Sequence, residues 1–362
     1  MAEQRAGILT FLHNDNYGSL MQAWALQEQL RSLGIDAVHL DYRPDTQEKI
    51  RNLLRCGNSP ALILDGVAKR RVKQAHPEAQ RKTEALRAFR EAHLRTTNAC
   101  RNGAALAEAA SAMDLLIAGS DQVWSPEWLN ERYFLTFGKP GQRKIAYAAS
   151  LGVSEAPKGR KARLMRRWIG GFDAISVREE AGAEIVRQMT GREAAVMPDP
   201  VLLMERPQWT AVMDAPDRRP PYLLAYFIGQ KPDYWKTARE LAKAKGLALA
   251  AFPVREEAWR EAGDSCIADV TPGSWLSAFA GAAYILTDSF HGTAFACMFG
   301  KPFTAMKRYG AGDRNSKNSR IEQLLGRLGL PWENAVPDAD TASRLAALRK
   351  EGLEWLSGSL NG

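Results

Sequence analysis

The sequence has few cysteines and no long apolar run. Its cysteines, Cys56, Cys100, Cys266 and Cys297, lie far apart among 362 residues and form no C-x-x-C pair. This spacing fits neither a zinc site nor a disulfide framework, so we expect a reduced compartment and no metal. No apolar stretch approaches the ~20 residues that span a bilayer, and the N-terminal GILTFL is too short for the core of a signal peptide. These absences predict a cytoplasmic protein.

Two phosphate-binding signatures are also missing. The chain has no G-x-x-x-x-G-K-[ST] sequence, and no G-x-G-x-x-G follows its first apolar run. Both motifs bring backbone N–H groups against phosphates of a nucleotide. Their absence argues against a P-loop NTPase and against a typical dinucleotide enzyme.

Positive charge is concentrated in one segment. The net charge is +8, and residues 43–101 carry 14 lysines and arginines against 6 acidic residues, which equals the whole excess. Such a field attracts phosphorylated substrates, anionic lipid or nucleic acid, or it is only the solvated face of helices. Phe89 is the single aromatic residue of the segment, so the stacking surfaces of a nucleic-acid binder are missing. We expect no nucleic-acid partner.

Short apolar strands alternate with helical patterns along the chain. AGILTFL, LMQAWALQEQLRSLG and IDAVHLDY form a strand–helix–strand unit, which begins a parallel α/β sheet. Further strands are predicted at MDLLIAGSD, KIAYAASLG, FDAISVREE and AAVMPDPVLL, and a second series at YLLAYFIG, LALAAFPV and AYILTDSF. We predict an α/β protein with two Rossmann-like domains facing a cleft. They span residues 1–205, with a basic helical insertion at about 44–100, and 206–362, with a C-terminal helical tail.

Polar residues follow several predicted strands of the first series. The loop HNDNYGS, residues 13–19, precedes the first predicted helix, where such residues either bind an anion or sugar or only cap the helix. Asp121 and Trp124 follow the strand DLLIA and either contact a sugar or serve as an N-cap and a core residue. Arg178 ends the strand DAISV and is the best candidate to bind a carboxylate or phosphate.

The stretch TDSFHGTAFACMFG places His291 where a buried strand ends and a helix begins. The helix N-terminus favours a bound anion, Gly292 removes a side chain where a ligand approaches, and Asp288 is near enough to orient the ring. A lone histidine is more often structural, so these residues alone leave catalysis open. The segment MKRYGAGDRNSKNSR then predicts either a mobile anion-binding loop with hinges at Gly310 and Gly312 or an exposed basic loop; its cations are Lys307, Arg308, Arg314, Lys317 and Arg320.

In this order, the segments resemble the polysaccharide pyruvyl transferase family. The matching pieces are ILTFLHNDNYGSLMQAWALQEQLRSLG with IDAVHLDYRP, DLLIAGSDQVWSP, KIAYAASLG, ISVREE, VMPDPVLL, ILTDSFHGTAFACMFGKPF and NSRIEQLLGRLGL. They cover about 10–45 and 112–330. The resemblance implies a GT-B-like fold. It also implies transfer of pyruvyl from phosphoenolpyruvate onto saccharide hydroxyls, which forms a ketal and releases phosphate, with phosphoenolpyruvate as a co-substrate and no other cofactor.

The resemblance also implies roles for the matched residues. His291, at the family's (S/R)-x-H-G-like position, would be the general acid/base near phosphoenolpyruvate, supported by Asp288. Arg178, at the V-R-(D/E) position, would bind the donor's phosphate or carboxylate, together with Arg320, Lys307 and Gly292. These groups supply a proton carrier and at least two cations, as the chemistry requires. Residues expected on the acceptor side are Asn14, Asn16, Tyr17, Asp121 and Trp124.

Other functions stay open at this point. A GT-B-type glycosyltransferase would bind UDP- or GDP-sugars in place of phosphoenolpyruvate, because the fold does not fix the chemistry. A non-enzymatic adaptor would bind nucleic acid or membrane through residues 43–101 and lose affinity steeply with salt. For the leading hypothesis, we expect a saccharide acceptor, whose lipid-linked and nucleotide-activated forms both remain open. The basic segment would then hold the enzyme at the anionic inner face of a membrane.

Overall fold

The computed structural model describes residues 4–59, 77–215, 220–254, 256–267, 269–310 and 318–361, which form two parallel sheets with helices around them. The first sheet has the strand order β2-β1-β3-β4-β5-β6, and the second has the order β10-β9-β7-β8. The strands are β1 Arg5–Leu9, β2 Asp36–His39, β3 Leu115–Ala118, β4 Arg143–Ala149, β5 Ala174–Val177, β6 Ala195–Val196, β7 Tyr222–Tyr226, β8 Ala248–Ala251, β9 Tyr284–Thr287 and β10 Phe303–Ala305.

Helices connect the strands and cover both faces of the sheets. The described α-helices are α1 Tyr17–Ser32, α2 Thr46–Cys56, α3 Pro77–His93, α4 Gly103–Ala110, α5 Gly159–Ile169, α6 Glu180–Thr190, α7 Arg206–Thr210, α8 Asp233–Ala244, α9 Glu256–Ala262, α10 Pro272–Gly281, α11 Phe290–Met298, α12 Ser319–Leu328 and α13 Ala339–Asn361. Short 3-10 turns occur at Pro126–Trp128, Glu131–Phe134, Pro200–Leu203 and Gly263–Ser265. Within the described ranges, no helix is both long and apolar enough to cross a bilayer.

The apolar runs become strands because helices bury them on both faces. β3 and β9 are buried along their whole length, which is the usual state of central strands in a parallel sheet. The prediction of an α/β fold with parallel strands is therefore confirmed. Helix α1 begins after Asn16, whose side chain accepts a hydrogen bond from the Ser19 backbone N–H at 3.3 Å, and it ends before Gly34 with φ +79°.

The basic segment and the C-terminal tail both return to the first sheet. α2 and α3 supply helices in the predicted insertion, and residues 60–76 lie outside the described residues. The chain after α3 runs beside β2, where Thr96 forms a parallel bridge with His39. The tail, predicted with the second domain, packs the end of α13 under the first sheet, because Leu356 and Leu360 share an apolar cluster with Ile8 of β1.

The carboxyl ends of the two sheets meet at a common cleft. Asp199, which follows β6, lies 3.4 Å from His291, which follows β9. On the side of α1, the Tyr17 hydroxyl donates to the Val270 backbone oxygen at 2.6 Å. Ligands of open α/β sheets bind at this edge of the strands, so the polar side chains here form the candidate site.

Candidate active site

Arg178 is the centre of a buried polar cluster at the edge of the first sheet. Its side chain follows β5 and its Nη1 donates to Asp199 Oδ2 at 2.5 Å. Carboxylate oxygens of Asp121 and Glu179 lie 3.8 and 4.0 Å from its other nitrogens, and the ring of Phe290 lies 4.7 Å away. Burial alone would lower the pKa of Arg178, but the three carboxylates raise it above its ordinary value. The guanidinium is therefore permanently charged.

Asp199 contacts groups from both halves of the molecule. Its Oδ2 accepts from Arg178 and from Ser120 Oγ, the latter at 3.2 Å, and lies 3.4 Å from His291 Nε2. Burial raises the pKa of a carboxyl group, but His291, Arg178 and the Val201 backbone N–H hold the pKa of Asp199 well below its ordinary value. An ionised carboxylate thus lies between the guanidinium and the imidazole.

His291 is fixed in the first turn of α11 by close packing. Its ring lies against Gly18 in the first turn of α1, and a Cβ atom added at Gly18 would overlap the imidazole. The side chain is only 9% exposed. Its contact with Asp199 is longer than an ordinary hydrogen bond, and Nε2 makes no hydrogen bond within the described chain. No hydrogen bond within the described chain therefore fixes a proton on this nitrogen.

Two guanidinium groups in the cluster have unused N–H donors. Among the described residues, Nε and Nη2 of Arg178 and Nε of Arg320 have no hydrogen-bond partner. Burial and repulsion from Arg178 lower the pKa of Arg320 to about 10. Both side chains line one cavity of about 30 Å³. Buried donors are nearly always paired, so adjacent cations with unpaired donors provide groups that can bind an anion.

Asp288, expected to orient His291, is engaged elsewhere. Its carboxylate accepts from the backbone N–H groups of Ile228 and Gly229, both at 2.7 Å, and from Arg308 Nε at 2.9 Å. It therefore fixes the loop after β7 and the chain after β10. Asp199 is the carboxylate beside the imidazole. The sequence contains it in the motif VMPDP after a predicted strand, but only the tertiary fold brings it to His291.

Two other residues predicted on the donor side contact neighbouring side chains. A Cβ atom at Gly292 would overlap the side chain of Thr287, so this glycine lets α11 approach the end of β9. Lys307 lies with its Nζ 5.2 Å from the ring of Trp332. In the predicted basic loop, Arg308 contacts Asp288. The structure describes this loop as far as Gly310, and Gly312, Arg314 and Lys317 lie outside the described residues.

Both aromatic residues predicted on the acceptor side belong to the core. Tyr17 is fully buried and stacks on Trp275 with ring centroids 5.5 Å apart. Trp124 is fully buried, stacks on Phe134 at 5.2 Å and donates its Nε1–H to the Tyr133 backbone oxygen. These rings bury large apolar areas, and the structure gives them packing roles in place of the predicted sugar contacts.

The polar residues predicted on the acceptor side form one hydrogen-bonded chain. Asn16 caps α1, and Asn14 Nδ2 donates to Ser19 Oγ at 3.0 Å. Ser19 Oγ in turn donates to Asp121 Oδ2. Asp121 has φ +74°, a conformation uncommon for residues other than glycine. This chain links the N-terminus of α1 to the Arg178 cluster.

Glu179 is a further buried member that the sequence did not single out as part of the site. Its Oε1 accepts from Ser150 Oγ and from the backbone N–H groups of Leu151 and Gly152 at 2.8–3.0 Å. It fixes the end of β4 beside Arg178. In the part of the chain that the structure describes, no three His, Cys, Asp or Glu side chains are grouped as metal ligands would be.

Comparison with known proteins identifies a family and a fold. The family model described as polysaccharide pyruvyl transferase matches residues 16–308, whereas no curated protein matches the chain. The solved UDP-GlcNAc 2-epimerase from Neisseria meningitidis, bound to UDP-GlcNAc, has 10% identity and a TM-score of 0.51 over 98% of this chain and 99% of its own. The enzyme from Rickettsia bellii gives 10% and 0.51 over 98% and 95%. These likenesses show a GT-B fold, and at this identity they show the fold alone.

Proposed function

The chain belongs to the polysaccharide pyruvyl transferase family, and on this premise we propose that it transfers pyruvyl from phosphoenolpyruvate onto two hydroxyls of a saccharide. The products are a cyclic ketal and inorganic phosphate. The observation that best supports this reaction is the pair of adjacent guanidinium groups, Arg178 and Arg320, which have unpaired N–H donors and line one cavity with Asp199. Asp199 in turn lies 3.4 Å from His291 Nε2.

Phosphoenolpyruvate carries a phosphate ester and a carboxylate on the same carbon, which suits two adjacent guanidinium forks. Two of the three carboxylates around Arg178 lie beyond hydrogen-bond distance of its guanidinium. Glu179 Oε2 is 4.0 Å from Nε and Asp121 Oδ1 is 3.8 Å from Nη2. Arg178 keeps Nε and Nη2 for the donor, and Arg320 keeps Nε.

His291 is the acid in the first step of the proposed reaction. Its imidazolium gives a proton to the methylene carbon of phosphoenolpyruvate, and Asp199 stabilises the charged ring through its own ionised carboxylate. The central carbon becomes electron-deficient and accepts a sugar hydroxyl; a C–O bond forms, the O–H bond breaks, and the proton of this hydroxyl ends on the departing phosphate. Phosphate then leaves with the electron pair of its C–O bond. The second hydroxyl closes the ketal, and its proton returns to His291. General acid catalysis of this kind contributes about 10²–10⁴-fold.

A thermal-shift experiment tests the donor. A ligand at 100 times its Kd stabilises a protein by about 2.7 kcal/mol, which raises the Tm by a few degrees. We expect this shift with phosphoenolpyruvate for the wild type and for Arg187→Ala, which alters a surface arginine paired with Glu184. Arg178→Ala should lose it. A shift with UDP- or GDP-sugars only would contradict the proposal and favour a glycosyltransferase of the same fold.

A further inference from the structure

Asp121 is the most exposed carboxylate of the Arg178 cluster. Its side chain is 12% exposed, whereas those of Asp199 and Glu179 are 0% and 2% exposed. Asp288, which follows β9, is also fully buried, and its carboxylate accepts three hydrogen bonds. Among these four described carboxylates, Asp121 is therefore the one that a second substrate reaches most readily.

The backbone of Asp121 is held in an uncommon conformation shortly after β3. Its φ of +74° is one that aspartate and asparagine adopt more readily than most residues but still seldom. Its carbonyl oxygen accepts from the backbone N–H groups of Val123 and Ser150, both at 2.8 Å, and the residue forms a parallel bridge with Ala149 of β4. Such conformations persist where the surrounding structure holds them, often at functional sites. Here the frame places Oδ1 3.8 Å from Arg178 Nη2.

Each oxygen of the Asp121 carboxylate is oriented by one hydrogen-bond donor. Ser19 Oγ donates to Oδ2, and the Gln122 backbone N–H donates to Oδ1 at 2.9 Å. A carboxylate has about four acceptor positions, so acceptor positions remain for a further donor. The guanidinium of Arg178 lies beyond hydrogen-bond distance of Oδ1. The carboxylate can therefore accept a hydrogen bond from a substrate hydroxyl next to this guanidinium.

Titratable groups of three other elements face Asp121. Arg178 follows β5 and Arg320 lies on α12, and both interact electrostatically with the carboxylate. Tyr133 lies in the turn Glu131–Phe134, and burial raises the pKa of its hydroxyl well above the ordinary value, so this group stays neutral. A phosphate bound at Nη2 of Arg178 adjoins the carboxylate and raises its affinity for a proton. Donor binding thus makes Asp121 a better base.

We propose that Asp121 is a second catalytic residue, the base that takes the proton of the first acceptor hydroxyl. This inference rests on the proposed function. As the hydroxyl oxygen bonds to the central carbon of the protonated donor, its O–H bond breaks and the proton passes to Asp121 Oδ1. The C–O bond to phosphate then breaks, and phosphate takes the electron pair of this bond and the proton from Asp121, leaving as hydrogenphosphate. His291 gives one proton to the methylene carbon and regains one from the second hydroxyl, so protons balance.

The imidazole of His291 cannot fill both roles in the same step. It must begin protonated to act as an acid, whereas the base for the hydroxyl must begin with a free lone pair. A carboxylate is a sufficient base here, because the attacked carbon has the character of an oxocarbenium ion. Inverting glycosidases use an Asp or Glu in the same way, to activate the water that attacks such a carbon. Asp121 therefore complements His291 without a second imidazole.

The test measures phosphate release and donor affinity separately. Wild type, Asp121→Asn and the control Asp340→Asn, which alters an exposed ion pair, are assayed with phosphoenolpyruvate and methyl glycosides of common hexoses and N-acetylhexosamines. Asparagine tolerates the positive φ and still accepts from Ser19, but its amide is not a base. We expect kcat to fall about 100-fold or more in Asp121→Asn, and the acid limb of the pH–kcat profile to disappear. Its Kd for phosphoenolpyruvate, from calorimetry, should not rise, because the change removes a negative charge beside Arg178.

A second variant tests the chemistry by rescue. In Asp121→Gly, glycine adopts the positive φ freely, and the missing side chain leaves space for a small carboxylate. Formate should therefore restore part of the lost kcat of Asp121→Gly, with a dependence on its concentration. It should not rescue Asp121→Asn, whose amide fills the space, and it should not activate the wild type.

Each outcome separates the two proposals. An Asp121→Asn variant with the kcat and pH profile of wild type overturns the role of Asp121 but leaves the donor assignment intact. Weaker phosphoenolpyruvate binding with an unchanged pH profile overturns it too, because Asp121 would then only hold Arg178 in place. A wild type that binds no phosphoenolpyruvate, or releases no phosphate with any glycoside, overturns the proposed function and the inference together. If Asp121→Asn does not fold, Asp121→Gly with and without formate supplies the same kcat and Kd comparison.

Discussion

The imidazole of His291 occupies the space that a side chain on Gly18 would fill, although the two residues follow strands of different sheets. The contact makes the position of the proposed acid depend on the N-terminus of α1. It also explains a glycine in the first turn of a helix, where its conformational freedom gives no benefit. The backbone of one domain is thus part of the wall that orients a side chain of the other.

The first prediction concerns this contact. In Gly18→Ala, the new methyl group must displace the ring of His291, so we expect kcat to fall at least tenfold while the Kd for phosphoenolpyruvate changes little, because Arg178 and Arg320 are untouched. Calorimetry and a phosphate-release assay measure both quantities. Gly358→Ala in α13 is the control, since a Cβ there meets nothing within 4 Å. Unchanged kcat in Gly18→Ala would show that the ring can move without consequence.

The second prediction concerns the charge of Asp199. Asp199→Asn keeps the shape of the side chain but leaves Arg178 buried without its closest anion. Breaking a buried ion pair in this way costs about 3–5 kcal/mol, and urea unfolding should show a loss of this size. Asp340→Asn is the matched control, because Asp340 forms an exposed i,i+4 pair with Arg344 that contributes about 0.5 kcal/mol at most. Equal small effects in both variants would contradict a strong role for the buried pair.

The third prediction gives Arg320 opposite effects on stability and binding. Arg320→Gln removes a cation that Arg178 repels, so the unliganded protein should keep its Tm or gain in Tm. Binding should weaken by about 10–100-fold, the value of one hydrogen bond to a charged group, and the thermal shift with phosphoenolpyruvate should shrink accordingly. Arg187→Gln serves as the surface control. A variant that is less stable yet binds normally would assign Arg320 to the structure alone.

The fourth prediction concerns a buried histidine outside the site. His39 is fully buried, and burial lowers its pKa from 6.5 to about 4, although the Ala23 carbonyl and Asp41 oppose the shift. The unfolded chain therefore binds a proton between pH 6.5 and 4 when the folded protein does not, and stability falls as the pH drops through this window. Between pH 7.5 and 5 we expect this group to remove about 2 kcal/mol.

Urea unfolding of wild type and His39→Gln at pH 7.5 and pH 5 measures the contribution of His39 to the free energy of unfolding. The difference in stability between the proteins should narrow by about 2 kcal/mol from pH 7.5 to pH 5. A constant difference would mean that the imidazole of His39 takes up its proton as readily in the folded protein as in the unfolded chain.

Local sequence patterns were sufficient for the elements but not for the site. The strand ending at Thr287 and the helix starting at Phe290 were predictable because apolar runs, a serine cap and a glycine are all local signals. The partner of His291 was not, since Asp199 reaches it only when the carboxyl edges of two sheets meet. Asp288 looked suitable because it is near in sequence, yet its oxygens bind the loop after β7.

Aromatic residues show the same limit. Tyr17 lies in a polar loop sequence that suggests a binding surface, but its ring is covered by Trp275 from α10 of the other half of the chain. Nothing within residues 13–19 encodes that contact. Whether an aromatic ring contacts a sugar or packs in the core depends on residues that are distant in the sequence. A single sequence does not specify which of these residues will lie against the ring.

Helix α13 has a mechanical consequence for opening of the cleft. This helix has 23 residues; its first half places Leu345 and Leu348 in the cluster around the second sheet, and its second half places Leu356 and Leu360 beneath the first. A continuous helix that packs against both sheets connects the two halves of the molecule rigidly. The two halves cannot separate along the cleft axis without exposing one set of these leucines to water, so we expect the cleft to open by rotation about this helix.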